Sequence, residues 1–454
     1  MNNNKIAKNP NNNKKKLFLI LFISAVIITI SVWVVFPDLL SSHNSSSNKN
    51  NSDTTANKEL TAFQKDSIRK KDSAFIKATS IDADSNENVI RVSNPEDLNA
   101  EYQIDNTAGS TVKRIYTGRR INIAVIGVDS RLGATCKHAD ANHILSILVD
   151  QGKIEITSIP RDTPADAEMP DSSGQNKLTI VYANRGVNAY LKEAARIAGV
   201  DKIHYYVEVG FSQALGVIEL FGFKDPRSTL QVLRSRKGLG GDDYQRSYNQ
   251  GQFIRQMMLN HFGKTSGLLG DVFVRGGLAI VNTNLNYDVT KDIISKLASK
   301  GFPKSPDDIW MRVRPPVKLD YKVYDFSNHE VLSKLRKKIE SFNKYEEDKD
   351  TTDTTFKKRT YNSAPRLGNA IAKSVKDSAK YPARVVQNLK VYFDQRAWMQ
   401  VNDKKEREKY RDQICVLLSN AYNKQKKNKQ AQYIIDAIEA EKKVFSVPNK
   451  QVQK

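Results

Sequence analysis

Cysteine is almost absent: Cys136 and Cys415 are the two in 454 residues. Two cannot make a disulfide framework, and their spacing is not that of a structural zinc site. Because they fall in different parts of the chain, we expect two free thiols rather than one bridge. No GxxxxGK[ST] loop, HExxH helix or internal repeat is present, which removes the P-loop, zincin and solenoid readings. Acidic residues are short as well. Against 72 Lys and Arg stand 50 Asp and Glu, a formal charge of +22. Such an excess points to polyanions, and composition alone does not choose among nucleic acid, anionic lipid headgroups and phosphorylated glycans.

What is present begins with one long apolar run, LFLILFISAVIITISVWVVF at 17–36. It carries no charge and is long enough to cross a bilayer as a helix. Lys5, Lys8 and Lys14-Lys15-Lys16 precede it, and no comparable basic run follows. The positive-inside rule then places 1–16 in the cytoplasm and everything after Phe36 outside. A cleaved signal peptide has a shorter apolar core ending in a small-x-small site, whereas this run ends Val34-Val35-Phe36-Pro37-Asp38. We therefore expect an uncleaved single-pass anchor in the cell (cytoplasmic) membrane. With the basic mass outside, nucleic acid is not an expected partner.

Residues 37–117 are rich in Asn, Ser, Asp and Lys and read as a polar linker. At Arg120 the pattern changes. INIAVIGV (121–128) reads as a strand buried on both faces. Residues 143–149 and 153–159 read as two strands joined by a turn at Asp150-Gln151-Gly152. Helical stripes follow at 187–198, 211–220 and 246–262, with a strand expected at 229–236. Strands interleaved with helices predict an α/β fold over 118–300, a connecting segment at 301–365, and a basic, mostly helical region at 366–454 with helices near 370–389, 406–423 and 431–444.

Three clusters carry possible chemistry. Asp129-Ser130-Arg131 closes the buried strand, and Asp140 follows one short loop later. Such carboxylates suit a hard cation, and equally suit turn or helix caps. Ser158-Ile159-Pro160-Arg161-Asp162-Thr163 ends the next hairpin. Its Arg-Asp pair reads as a site element or a plain surface ion pair. Arg234 and Arg236, two apart on the expected strand, would point one way. Asp243, Arg246 and Gln250 would share one side of a helix start. Paired guanidinium forks suit phosphate oxygens, and a solvated basic face remains the ordinary alternative.

The strings IAVIGVDSR, Asp140, SIPRDT, Asn176-Lys177-Leu178 with Tyr182-Ala183, and VLRSRK…GDDYQRSYNQ resemble the successive motifs of the LytR-CpsA-Psr family over about 118–290. GVDKIHYYVEVGFSQALGVIELFGF resembles the stretch between two of them. The resemblance implies a three-layer α/β/α sandwich with a hydrophobic tunnel for a polyprenyl chain. It implies Mg²⁺, or Mn²⁺ in its place, on Asp129 and Asp140. Arg131, His138, Arg161, Lys177, Arg234, Arg236, Arg246 and Gln250 would line a pyrophosphate, with Asp162 and Asp243 orienting arginines. The implied partners are a polyprenyl-pyrophosphate-linked glycan and a peptidoglycan acceptor, and the implied activity is a glycopolymer phosphotransferase. Asp129, Arg161, Arg234 and Arg236 would be the catalytic set. A polyprenyl-pyrophosphate hydrolase and a non-catalytic wall-binding or lipid-binding module are the alternatives. Two positions depart from the family: His138 stands where Arg is usual, and Asn249 where Arg often precedes the helix Gln.

Overall fold

A computed structural model describes residues 102–447, apart from 113–115, 130–131, 136, 240, 263–267 and 350–362. The tail at 1–16, the expected anchor at 17–36 and most of the linker lie outside the described residues, as do Arg131 and Cys136. Among the described residues no helix is long and apolar enough to cross a membrane.

The INIAVIGV run forms β2 (Arg120–Asp129), whose middle residues are buried on both faces. It pairs antiparallel with β3 (His138–Leu148), which pairs antiparallel with β4 (Lys153–Ile159) through the expected turn. β5 (Tyr205–Gly210) lies parallel to β2 on its other side, with the two-residue β6 (Asn282–Thr283) at that edge. At the opposite edge β7 (Ile309–Val313) runs parallel to β4. The sheet order is therefore β6-β5-β2-β3-β4-β7.

Helices cover both faces because the strand residues alternate between two cores. On one face Ala124, Ile126, Ile144 and Ile159 pack with Leu178, Val181 and Tyr190 of α1 (Leu178–Ala198), which is broken at Gly186 where φ is +78°. On the other, Ile123, Val125, Leu145, Ile147 and Ile156 meet a core that includes Met257 and Met258. Helices that supply that face include α2 (Phe211–Leu220), α3 (Pro226–Arg234), α4 (Asp243–His261) and α5 (Leu268–Ile280). α6 (Tyr287–Ser299) follows. The mixed α/β expectation holds.

Three local expectations are corrected. Residues 229–236 are not a strand: Asp225 accepts the Ser228 N–H as an N-cap, Pro226 sits at the first helical position, and α3 results. The sheet does not stop near 300, since β7 belongs to it. The linker reading fails at its C-terminal end, where β1 (Tyr102–Asp105) pairs antiparallel with β8 (Tyr321–Tyr324) and Ala108 is fully buried.

α7 (His329–Lys349) leads to four further helices: α8 (Ser363–Asp377), α9 (Pro382–Asp394), α10 (Lys404–Lys424) and α11 (Asn428–Ser446). The single helix read at 370–389 is two, because Pro382 starts a new one. Their apolar stripes close on a core of Leu389, Phe393, Trp398, Ile414, Leu418 and Ile434. This bundle is bolted to the sheet region. Arg407 makes a two-pronged pair with Glu219 at 2.7 and 3.0 Å, Gln400 Nε2 donates to Ser212 Oγ at 2.8 Å, and Val444 fills the space over Gly276.

Candidate active site

Every sequence-predicted site residue among the described ones lies near the ends of β2, β3 and β4 or on the segments bordering them. Asp129 ends β2 opposite His138, the first residue of β3. Two residues on, the register slips: Gly127 faces Ala141 while Val128 faces Ala139, so Asp140 is the extra residue of a β-bulge. A bulge bends the strand and re-aims a side chain. Here it turns Asp140 to the Arg161 guanidinium, 3.0 Å away.

β4 ends at Pro160, and Arg161 follows. Its backbone N–H donates to Asp243 Oδ2 at 3.0 Å, which ties the β4 exit to the start of α4. Asp242 caps that helix by accepting the Tyr244 and Gln245 N–H groups. One turn apart on the helix, Asp243 pairs with Arg246. Arg236 Nε lies 3.4 Å from the same carboxylate and Nη2 3.7 Å from Asp162. Asp162 also faces Arg161 Nε and Lys177 Nζ, each at 3.7 Å. Arg234, the last residue of α3, reaches Asp129 at 3.7 Å and lies over the Phe211 ring. Gln250 donates to the Leu233 carbonyl at 3.1 Å, which links α4 to α3. Asn249 accepts from Gln245 inside the fold and does not take the place of an arginine at the site.

Five cations thus face four carboxylates, mostly beyond hydrogen-bond length. The consequence is visible atom by atom. Arg161 Nε, Arg236 Nη2 and Arg246 Nε are buried with no hydrogen-bond partner, while Arg246 Nη2 lies against Asp243. Buried polar groups are nearly always satisfied, so a concentration of unsatisfied N–H groups marks a place for an acceptor. The cluster runs from buried Arg246, 7% exposed, to Arg234, 47% exposed, so an anion has a way in. Burial works against the Arg161 charge, but Asp140, Asp162 and Asp243 outweigh it and hold the guanidinium above its usual range. For Arg246 burial wins, helped by Arg236 and Arg161 against Asp243 and Asp140, and its value falls. A second negative group beside Arg246 would relieve that shift.

His143 behaves differently. Its Nδ1 sits 3.0 Å from Ser158 Oγ, and burial lowers its pKa to about 4, so it is a neutral part of the sheet face.

Sequence reading missed one carboxylate. Glu208 of β5 is buried and takes Lys137 at 2.5 Å and the Tyr182 hydroxyl. Its signal was a lone Glu inside the apolar string HYYVEVG.

Residues 52–222 match the LytR_cpsA_psr family. The match supports the resemblance carried by the motifs up to Tyr182-Ala183, and it ends before Arg234 and Arg236. Solved structures similar to the chain include a transcriptional regulator from Enterococcus faecalis, 20% identical over 50% of this chain and 92% of that one, at a TM-score of 0.34. TagV of B. subtilis is 17% identical over 49% and 98%, at 0.35. TagT bound to LIIa-WTA is 16% identical over 52% and 96%, at 0.31. No curated protein matches. The LytR-CpsA-Psr match leaves the helices beyond 222, and the whole C-terminal bundle, outside it.

Proposed function

We propose that the chain is a membrane-anchored, extracytoplasmic phosphotransferase. It would move a glycopolymer from a polyprenyl-pyrophosphate carrier to a hydroxyl of peptidoglycan and release polyprenyl phosphate. The observation that carries this reading is the set of unpartnered guanidinium N–H groups on Arg161, Arg236 and Arg246, gathered beside two carboxylates on adjacent strands.

Asp129 and Asp140 suit a hard cation such as Mg²⁺ or Mn²⁺, which binds through one or two carboxylates and shares substrate phosphate oxygens. Among the described residues no group of three or more His, Cys, Asp or Glu converges. When bound, the cation would neutralise charge on the pyrophosphate. Arg161 and Arg234 now face those same carboxylates, so engaging Asp140 and Asp129 elsewhere turns both guanidiniums toward phosphate. Arg236 and Arg246, set by Asp162 and Asp243, hold non-bridging oxygens through their free N–H edges. The acceptor oxygen forms a bond to the phosphorus bearing the glycan, and the bond from that phosphorus to the bridging oxygen breaks. Polyprenyl phosphate leaves, and the hydroxyl proton passes to a carboxylate, for which Asp129 is positioned by its exposure.

The test uses the full chain in lipid nanodiscs, a polyprenyl-pyrophosphate glycan, a labelled peptidoglycan acceptor and Mg²⁺. Labelled acceptor in the wild type, lost in Asp140→Ala and Arg236→Ala, is the expected result. Release of phosphate lipid without labelling would show water as the acceptor and make the chain a hydrolase. Lipid binding without turnover would make it a binding module.

A further inference from the structure

The loop from Asp129 to His138 connects the two strand ends that carry the candidate cation ligands, and its described part is held by the far end of the chain. The Gln395 side chain accepts the Gly133 N–H at 2.8 Å and donates to the Ala134 carbonyl at 2.9 Å. One amide therefore satisfies two consecutive backbone groups. Gly133 has φ +74°, and a Cβ there would lie 2.6 Å from the Tyr392 hydroxyl, so α9 packs on bare loop backbone. Leu132, 3% exposed, belongs to the core of the helical bundle rather than to the sheet.

The residues on either side of Gln395 bind two more segments of the sheet region. The Asp394 carbonyl accepts Gln213 Nε2 at 3.1 Å, and Gln213 Oε1 in turn takes the Gly210 N–H at the end of β5. Arg396, in a left-handed conformation at φ +50°, donates from Nε to the Ala279 carbonyl in α5 at 2.7 Å. Three consecutive residues at one corner of the bundle thus fix three separate segments. At the other end of the loop Lys137 is anchored to Glu208.

We propose that this corner is a positioning device for the site, and that Gln395 is the positioning residue that sets the loop presenting Asp129. The purpose of the setting rests on the phosphotransferase reading, whereas the tie itself does not. Replacing Gln395 by Met keeps the volume and removes both hydrogen bonds. Losing two net hydrogen bonds changes the loop's opening equilibrium roughly thirtyfold.

The full chain is compared with Gln395→Met, Gln395→Ala and Gln395→Glu by hydrogen exchange over the loop and the bundle helices. Transfer kinetics and inorganic pyrophosphate affinity are measured alongside. The Met variant should exchange roughly thirtyfold faster at the Gly133 amide, with α10 and α11 unchanged, and lose roughly tenfold in kcat with KM within about twofold. Glu, which keeps the acceptor for Gly133, should fall between Met and wild type. Unchanged loop exchange in the Met variant overturns the inference whatever transfer does. Faster exchange with full kcat overturns it too, because the loop would then be tied for no catalytic end. A wild type that transfers nothing sinks the phosphotransferase reading instead. The tie between Gln395 and the loop is then decided by exchange at the Gly133 amide alone, and equal exchange in wild type and Met variant overturns it.

Discussion

Two groups of arginines are drawn out of water in this molecule, and they are satisfied to different degrees. In the bundle, Arg396 gives its N–H groups to the carbonyls of Ala279 and Phe393 and faces Glu441, whose carboxylate accepts the Trp398 indole N–H at 2.8 Å. Its remaining strain is on the acid, since burial raises the Glu441 pKa and leaves Oε2 with an ion pair at 3.8 Å. At the strand ends, Arg161, Arg236 and Arg246 share Asp140, Asp162 and Asp243 and still have N–H groups to spare. A buried charge whose donors are used up holds a structure together. One whose donors are not used up, at the edge of solvent, is waiting for a ligand.

The largest effect that would break this comparison is on the bundle side. Arg396→Ala leaves buried Glu441 with Arg411, 4.0 Å away, as its remaining ion-pair partner, and chemical denaturation should show a loss of roughly 3–5 kcal/mol. A variant that unfolds at the wild-type midpoint would remove the structural role. On the site side the signs reverse. Arg236→Ala should cut transfer roughly 10²–10³-fold, as for the loss of one oxyanion-stabilising donor. Its stability should stay within about 0.5 kcal/mol of wild type, because the group is held by long, half-open contacts.

His143 sharpens the comparison as a buried base that stays neutral. Its pKa is about 4 when folded against 6.5 free, so the unfolded chain binds the extra proton. Stability should be unaffected by this group above pH 6.5, fall as the pH drops, and reach the full deficit near pH 4, of order 3 kcal/mol. A urea titration across that window in His143→Gln should lack this component. If the slope persists, the loss belongs to other groups. The smallest effect is expected for Lys177→Ala, whose 3.7 Å contact with Asp162 is exposed. Stability should change by less than about 0.5 kcal/mol, and pyrophosphate binding by far less than in Arg236→Ala.

Local chemistry made much of this legible from sequence. The β2 run, the turn at 150–152 and the clustering of Asp129, Asp140, Arg161, Asp162, Asp243 and Arg246 all follow from periodicity and the recognised motifs. Two helix errors share one cause. At Asp225-Pro226 and Tyr381-Pro382 a proline opens a helix, a signal that was there to be used. Reading 229–236 as a strand put Arg234 and Arg236 on one face for the wrong reason. They meet the site because α3 ends at Arg234 and Ser235 is extended. β7 in the sheet and Gln395 at the loop were not legible, because each depends on a partner far away in sequence and on no local pattern.

That separation has a consequence in time. Gly133 and Gln395 are 262 positions apart, and at roughly 5–20 residues per second a ribosome needs on the order of 10–50 s to travel between them. The β2-β3-β4 meander closes short loops and can form in a small fraction of that interval. Each new molecule therefore passes through a youth in which its sheet is built and its Asp129 loop still lacks the residue that seats it.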